Sequence, residues 1–303
     1  MTSRHESVSV NVATRRGFLK QSAAAGAALG LAGFASLATA APGLAAIAPN
    51  AAGRKPGGPR PPLPLGIASY TFRKFTLDQT LAMTKRVGLT HVCLKSFHLP
   101  LEAKPNEIAA AADKVRQAGL TLYAGGVITM QKEDQVTQAF DYAKAAGMTT
   151  IVAAPSAEML PLVEQKIKQY GIAVAIHNHG PGDKHFPTPE SIYEKIKTLD
   201  KRLGICMDIG HTVRIGADLI ASTRKYADRL LDVHLKDVTE AAPKGRGIQM
   251  GRGIIDIPLF LRTLIEVNYQ GVLAYEYEEE ADDPLPGLAE CVGYTRGVLA
   301  ALG

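Results

Sequence analysis

The chain of 303 residues has a formal net charge of +5, three cysteines and no tryptophan. Residues 1–46 contain four basic residues and one acidic residue, a net of +3, so residues 47–303 carry only +2. This near-neutral main part argues against a nucleic-acid-binding protein. Three cysteines cannot form a disulfide framework, and they show no metal-type spacing.

The N-terminus has the features of an export signal. Arg15 and Arg16 precede a weakly apolar stretch at residues 23–38, and small residues follow at 38–40. This pattern predicts a twin-arginine signal peptide over residues 1–46, and therefore a periplasmic protein carried by the export machinery for folded proteins. A retained membrane anchor is the alternative, because the apolar stretch approaches the spanning length; we expect no membrane segment in the mature form. Residues 47–64 are predicted to be a Pro/Gly-rich linker.

Residues 65–303 are predicted to form one α/β domain, a (β/α)8 TIM barrel, because eight apolar runs alternate with amphipathic helical stretches. The strand-like runs are 65–69, 91–94, 120–125, 150–154, 172–176, 203–207, 231–235 and 271–275. Helical stretches include 77–87, 105–118, 135–146 and 217–230. Glycines shortly before strands are expected to end helices in the left-handed conformation; they are Gly88, Gly119, Gly147, Gly171 and Gly204.

Histidines and acids end the last four predicted strands. In a parallel barrel these strand ends meet at one mouth, and imidazole and carboxylate groups together suit a divalent metal. We predict His177, Asp208, His234 and Glu276 as ligands of one ion, with Mn²⁺, Co²⁺ or Zn²⁺ favoured and Mg²⁺ as another option. His179 is a substitute for His177, since residues two apart on a strand share a face. Taken singly, each of these residues has a structural alternative, such as a turn cap for Asp208.

Further polar residues near the same mouth are candidates for catalysis. Lys95 and His98 follow the second strand and are predicted to be catalytic together with Glu276. A lysine beside a bound cation has a lowered pKa, which suits a general base; a solvated loop position is the alternative for Lys95.

Substrate contacts and remoter groups are predicted around this centre. His179, His211 and Arg214 are predicted to contact substrate oxygens, whereas Lys236 and Asp237 are expected farther from the metal or at the surface. The glycine-rich loop at 250–253 (MGRG) either brings backbone N–H groups to substrate oxygens or forms a tight turn.

Four segments resemble the sugar phosphate isomerase/epimerase superfamily, the xylose isomerase-like barrels. They are residues 206–211 (CMDIGH), 233–237 (VHLKD), 251–256 (GRGIID) and 275–276 (YE), and the likeness extends over essentially all of residues 65–303. The resemblance implies one divalent metal held by strand-end residues. Asp208, His234 and Glu276 match family ligands, and Glu276 also matches a proton-transfer carboxylate.

The fifth strand departs from the family pattern. Ketose epimerases of this family carry a glutamate there, whereas this chain has residues 176–179 (IHNH). This difference argues against epimerisation by two glutamates. The histidine-rich strand resembles that of keto-inositol dehydratases, and residues 94–98 (LKSFH) resemble lyases that act on 3-keto-glycosides.

The resemblance implies a divalent-metal-dependent isomerase or epimerase that acts on a sugar or keto-sugar through a metal-stabilised enediolate. A lyase or hydratase that cleaves a 3-keto-glycoside or dehydrates a keto-inositol is the alternative, because the same enediolate can expel a β-oxygen. An inactive periplasmic sugar-binding barrel and an abasic-DNA endonuclease with three zinc ions represent other classes. We expect a small carbohydrate substrate and no nucleic-acid partner; a homo-oligomer is left open.

Overall fold

The computed structural model describes residues 63–303. The signal peptide predicted for residues 1–46 and all but the last two residues of the predicted linker, 47–64, lie outside the described residues. Within the described residues, no helix combines the length and the apolar content needed to cross a bilayer.

The described residues form ten strands, eight of which close into a barrel. The strands are β1 (Leu65–Ala68), β2 (His91–Leu94), β3 (Thr121–Met130), β4 (Thr150–Pro155), β5 (Ala173–His177), β6 (Leu203–Asp208), β7 (Leu230–Leu235), β8 (Asp237–Val238), β9 (Gly247–Ile248) and β10 (Val272–Tyr275). The barrel runs in the order β1-β10-β7-β6-β5-β4-β3-β2, all parallel, and β8 and β9 form a separate antiparallel pair. The predicted closed (β/α)8 architecture is thus confirmed.

At least one helix follows every barrel strand, and two follow β6. The helices are α1 (Leu77–Arg86), α2 (Pro105–Gln117), α3 (Glu133–Ala146), α4 (Leu160–Tyr170), α5 (Pro189–Ile196), α6 (Ile209–Arg214), α7 (Leu219–Lys225), α8 (Ile257–Glu266) and α9 (Leu285–Leu302). Thr76 begins α1 with a reciprocal capping box to Gln79, which satisfies N–H groups that lack partners within the helix.

Two predicted boundaries differ from the structure by more than two residues. Strand β3 continues to Met130, because residues 128–130 pair with residues 153–155 of β4 after an irregularity in the register. The helix predicted at 217–230 is shorter, since Asp218 caps α7 at its start and a 3₁₀ turn, Ala227–Arg229, follows it. The buried Arg229 in this turn donates hydrogen bonds to the backbone carbonyls of residues 197, 199, 200 and 203.

The predicted glycine positions are confirmed with one exception. Gly88, Gly119, Gly147 and Gly171 have positive φ angles, as a left-handed residue before a strand requires. Gly204 instead lies inside β6, where a side chain would collide with the backbone of Arg229 and the side chain of Leu231. This glycine therefore serves close strand packing, not helix termination.

The barrel interior holds a compact layer of small and aromatic side chains beneath the mouth. It consists of Cys93, Tyr123, Ala124, Val152, Ala175, Cys206, Val272 and Ala274. Cys93 and Cys206 are fully buried in this layer. A carboxylate is in contact with this layer: Asp232 accepts a hydrogen bond from Tyr123, and burial raises its pKa to about 6.

Candidate metal centre at the mouth of the barrel

Four buried side chains converge at the carboxyl ends of neighbouring strands. His177 ends β5, Asp208 ends β6, His234 lies on β7 and Glu276 directly follows β10. One ligand atom from each of the four lies within 4.8 Å of the others. All four residues are at most 4% exposed. The structure therefore gathers the complete set of metal ligands proposed from the sequence.

The two carboxylate oxygens of Asp208 have different environments, one at the start of α6 and the other among the four clustered side chains. Oδ1 accepts a hydrogen bond of 2.7 Å from the backbone N–H of His211, which caps α6. Oδ2 is buried in the cluster, 3.2 Å from Nζ of Lys236 and 3.6 Å from Nε2 of His177. The turn is held by Asn178, whose side chain bonds both the N–H and the carbonyl of Asp208. The capping role and the ligand role of Asp208 are thus compatible.

The imidazole nitrogens at this centre fit a metal ion. Within residues 63–303, both ring nitrogens of His177 and of His234 are buried without a hydrogen-bond partner. Buried polar groups normally have partners, because leaving one unpaired costs about 1–3 kcal/mol. Nitrogen and carboxylate donors at this spacing suit a divalent transition metal. The residues present therefore fit the ion that the sequence predicts.

His177, and not its substitute His179, belongs to this cluster. Strand β5 ends at His177, so the alternation of side chains does not extend to His179. The side chain of His179 is 38% exposed, and its Nδ1 lies 3.0 Å from Asp183. Its ring contacts that of His177 with centroids 4.5 Å apart. This position at the rim suits a contact with substrate.

Lys236 belongs to the site, whereas the sequence predicted that it lies farther from the metal or at the surface. It lies two residues after His234 and is only 7% exposed. Its ammonium group lies 3.2 Å from Asp208, 3.2 Å from Glu276 and 2.5 Å from Glu278. The spacing of two from His234 was the signal that could have placed it on the same face. Lys236 neutralises part of the negative charge at the mouth.

The charges of the cluster are set by mutual contacts. Burial opposes ionisation of Asp208, but His211 and Lys236 outweigh it and hold the pKa of this carboxyl group well below its usual range. Burial likewise opposes ionisation of Glu276, but Lys236 and His234 outweigh it and hold the pKa of this carboxyl group well below its usual range. Burial lowers the pKa of His177 to about 3. At neutral pH the cluster therefore offers two carboxylates and a neutral His177 imidazole, the forms that bind metals.

The lowered pKa of His177 predicts a pH-dependent stability of the metal-free protein. Between pH 6.5 and pH 3 the unfolded state binds a proton at this residue and the folded state does not. His177 is therefore expected to contribute a loss of stability as the pH drops below 6.5, of up to about 1.4 kcal/mol per pH unit, whereas Asp232 contributes with the opposite sign below pH 6. Urea unfolding between pH 6.5 and pH 5, in the presence of a chelator, measures the slope.

The control for this measurement is His177→Gln, which removes the titrating ring. Contributions from carboxylates with lowered pKa values are lost only at lower pH, near and below their unfolded pKa values. The variant should lack the His177 contribution, so that its stability falls less, or rises more, than that of the wild-type chain as the pH drops over the same range. Equal slopes in the two proteins would show that His177 is not held neutral by the fold.

Two of the predicted substrate contacts lie beside the cluster. Nε2 of His211 lies 3.9 Å from Oδ2 of Asp208, and the side chain is partly exposed. Arg214 donates a hydrogen bond to the carbonyl of Pro243, and one of its terminal nitrogens lies 3.5 Å from Nδ1 of His211. Both residues lie at the rim, where they are placed to meet a polar ligand.

The two residues predicted to be catalytic in the loop after β2 have different positions. Nζ of Lys95 lies 3.7 Å from Oε1 of Glu276, in contact with the cluster. His98 instead has both ring nitrogens engaged, one with Ser69 at 2.9 Å and the other with Thr80 and the carbonyl of Phe75, each at 3.0 Å. We therefore revise His98 from a catalytic residue to one that holds the loop carrying Lys95.

An aromatic rim extends from Lys95 towards solvent. Nζ of Lys95 lies 5.2 Å from the ring centroid of Tyr70, and Arg73 lies over the same ring at 4.8 Å. The ring of Phe97 follows 6.2 Å from that of Tyr70 and is 47% exposed. Exposed aromatic faces beside a polar site are suited to stacking on a ligand ring.

The glycine-rich loop, residues 250–253, is held by hydrogen bonds to the side chain of Asp237. The carboxylate of Asp237 accepts hydrogen bonds from the N–H groups of Val238, Gly251, Gly253 and Ile255. Of the two alternatives for residues 250–253, the structure thus supports the tight turn, since these N–H groups already have a partner. Asp237 is 1% exposed and holds the conformation of this loop.

Comparison with known proteins gives a family match over most of the chain. A sequence profile described as a xylose isomerase-like TIM barrel matches residues 81–296. The chain is 26% identical over 137 residues to the rhizopine catabolism protein MocC of Rhizobium meliloti, which covers 40% of this chain and 42% of that protein. It is 28% identical over 152 residues to an inosose dehydratase of Mesomycoplasma hyopneumoniae, and this alignment covers 44% of this chain and 50% of that protein. The matched segments thus span half or less of these relatives.

Solved structures share the fold at lower identity. An IOLI protein with a bound zinc atom has a TM-score of 0.67 at 16% identity, covering 80% of this chain and 99% of that one. The 3-keto-D-glucoside 4-epimerase YcjR of E. coli has a TM-score of 0.64 at 18% identity, and the superposition covers 78% of this chain and 99% of that one. Likenesses at these identities establish the architecture alone.

Proposed function

Because this chain belongs to the xylose isomerase-like TIM barrel family, we propose that it is a metal-dependent enzyme that removes a proton next to the carbonyl group of a keto-sugar or keto-inositol. The observation that carries the proposal is the buried cluster of His177, Asp208, His234 and Glu276, with its unpartnered ring nitrogens. Family membership confirms the resemblance found in the sequence. The zinc atom of the IOLI protein is a further support for a divalent ion.

The residues around the cluster suit abstraction of a proton from carbon. A divalent ion, when bound, polarises a carbonyl group and makes the neighbouring C–H more acidic. Glu276 is ionised at neutral pH because nearby positive charge outweighs its burial, so it can accept that proton. Lys95 and Lys236 contact different oxygens of this carboxylate, at 3.7 Å and 3.2 Å. Each can hold the base in place or return a proton.

Elimination is the outcome that we favour after proton removal. Residues 176–179 (IHNH) stand where the resemblance to ketose epimerases of the family implies a fifth-strand glutamate, so no glutamate there pairs with Glu276 as a second base. Asp208 is engaged by the N–H of His211 and by Lys236. The curated relatives include inosose dehydratases by name. A lysine at the rim can protonate the departing β-oxygen, which gives a dehydratase or glycoside lyase.

Isomerisation or epimerisation remains the second candidate. It is favoured by the two ammonium groups that flank Glu276, because two proton carriers allow removal and return of a proton at different positions. A periplasmic location is part of both proposals and depends only on the export pattern in residues 1–46.

One experiment tests the function and separates the candidates. Metal-loaded protein is incubated in deuterated water with keto-inositol, free ketoses and 3-keto-glycosides, and NMR follows deuterium entry and product formation. Elimination predicts loss of water or of an aglycone, whereas isomerisation predicts deuterated sugar with both retained. An inactive binding protein would bind a sugar without any exchange. A metal count of three ions per chain would favour the endonuclease class.

The aromatic rim predicts a preference for substrates that carry a second ring. Replacing Phe97 with alanine should weaken binding of phenyl β-D-glucoside by about 2- to 10-fold, since an aromatic contact contributes about 0.5–1.5 kcal/mol. Binding of methyl β-D-glucoside should be unchanged. Calorimetric titration with both glucosides measures the difference, and Leu259→Ala, an exposed residue on α8, is the control. Equal weakening of the two ligands by Phe97→Ala would contradict a stacking role.

A further inference from the structure

We propose that Asp232 is a positioning residue that fixes the orientation and the tautomer of His234 from beneath the metal centre. The inference depends on the proposed metal centre but not on the identity of the substrate. Asp232 lies on β7, two residues before His234, so both side chains point into the barrel.

The location of Asp232 calls for a physical explanation. Its side chain is completely buried, and the interior layer it contacts consists of alanine, valine, cysteine and tyrosine residues. Burying a carboxylate in such surroundings is unfavourable unless partners compensate for the lost hydration. The proposed proton-transfer chemistry at the mouth does not use this group. A role towards a neighbour at the mouth would explain the presence of a carboxylate here.

The contacts of Asp232 aim one of its oxygens at His234. The hydroxyl of Tyr123 donates to Oδ1 at 3.1 Å and is shared with Oδ2 at 3.3 Å, and Cys206 donates to Oδ2 at 3.5 Å. The same Oδ2 lies 3.8 Å from Nε2 of His234. On the opposite side of the ring, Nδ1 of His234 lies 3.4 Å from Glu276. The imidazole thus stands between the buried carboxylate and the metal cluster.

The two ring nitrogens of His234 therefore have different roles. Nδ1 faces the cluster and is the nitrogen placed to bind an ion, so the proton belongs on Nε2, facing Asp232. Metal-bound histidines commonly donate their second N–H to a carboxylate, which fixes the tautomer and raises the basicity of the ligand. The present 3.8 Å is longer than a hydrogen bond. An approach of less than about 1 Å closes it to bonding length.

The test compares metal binding by three forms of the full chain. Co²⁺ is titrated into the metal-free wild type, Asp232→Leu and Asp232→Asn, and its visible absorption reports the ligand geometry. The leucine variant should bind Co²⁺ about 10- to 100-fold more weakly and with an altered spectrum, as expected for loss of an outer partner. The asparagine variant keeps a carbonyl acceptor and should recover much of the affinity. Tyr123→Phe, which leaves Asp232 in place, should change affinity least.

A purely structural role for Asp232 predicts a different pattern. The metal-free leucine variant would then unfold more easily, while its folded form would bind Co²⁺ like the wild type. Affinities within about 3-fold of one another in all forms would overturn the proposal. Failure of the wild type itself to bind Co²⁺ would instead reject the metal centre, so the two failures are distinguishable.

A second measurement does not depend on the variants folding. Nitrogen-15 NMR of histidine-labelled, Zn²⁺-loaded wild type reports which ring nitrogen of His234 carries the proton. The expected result is a metal on Nδ1 and a proton on Nε2. A metal on Nε2 would overturn the inference even if Asp232→Leu could not be purified.

Discussion

Asp208→Ala and His234→Ala are each expected to lose stoichiometric metal while the barrel remains folded. His234 supplies a buried ring nitrogen without a hydrogen-bond partner within the described chain, and Asp208 supplies a buried oxygen whose charge Lys236 partly neutralises. Loss of a direct ligand should reduce metal affinity by more than the roughly 10- to 100-fold caused by loss of an outer partner. Without the ion, carbonyl polarisation worth several kcal/mol disappears, and proton exchange should slow on the order of 10³-fold.

Matched variants separate metal binding from folding in this experiment. Asp208→Ala also removes the cap of α6, which costs about 1 kcal/mol, whereas Asp208→Asn keeps a capping side chain and loses the charge. His185→Ala, at an exposed histidine, is the control for His234→Ala. Metal content is measured by mass spectrometry and folding by circular dichroism. Full metal content in folded Asp208→Ala and His234→Ala would contradict the ligand assignment.

Lys95→Met is expected to abolish most turnover without removing the metal. The ammonium group of Lys95 contacts Glu276 but is not among the four clustered donors. If it carries a proton or holds the base, its loss should lower the exchange rate by about 10²- to 10⁴-fold, the usual contribution of a general acid or base. Deuterium entry at saturating substrate and the metal content are measured on the same samples.

Lys95→Arg distinguishes proton transfer from simple charge. Arginine keeps the positive charge near Glu276 but does not release a proton at neutral pH. A low rate with arginine therefore indicates proton transfer, whereas a recovered rate indicates electrostatic support. Rates within 10-fold of the wild type for Lys95→Met would remove Lys95 from the mechanism.

Much of the fold follows from local patterns in the sequence. Alternating apolar runs and amphipathic helices predicted the closed barrel, because each strand must be covered by a helix on its outer face. The same reasoning placed His177, Asp208, His234 and Glu276 at one mouth, since parallel strands end at the same edge. The choice between His177 and His179 required the end of β5, which the sequence does not mark.

The remaining features of the site depend on contacts between distant segments. A lysine has a long flexible side chain, so only the folded arrangement shows Lys236 turned inwards to three carboxylates. His98 looked available for catalysis, yet Ser69 and Thr80 from other elements occupy its ring nitrogens. Asp232 lies within an apolar strand, where its neighbours across the barrel are not visible from sequence order.

The four clustered donors come from β5, β6, β7 and β10, which are consecutive around the barrel wall. The opposite wall, β1 to β4, supplies none of them; it contributes Lys95 and, in the loops after β1 and β2, the rings of Tyr70 and Phe97. The clustered metal-type donors and the aromatic rim therefore lie on separate arcs of the barrel. Substitutions in the loops after β1 and β2 can therefore change the aromatic rim without displacing the four clustered donors.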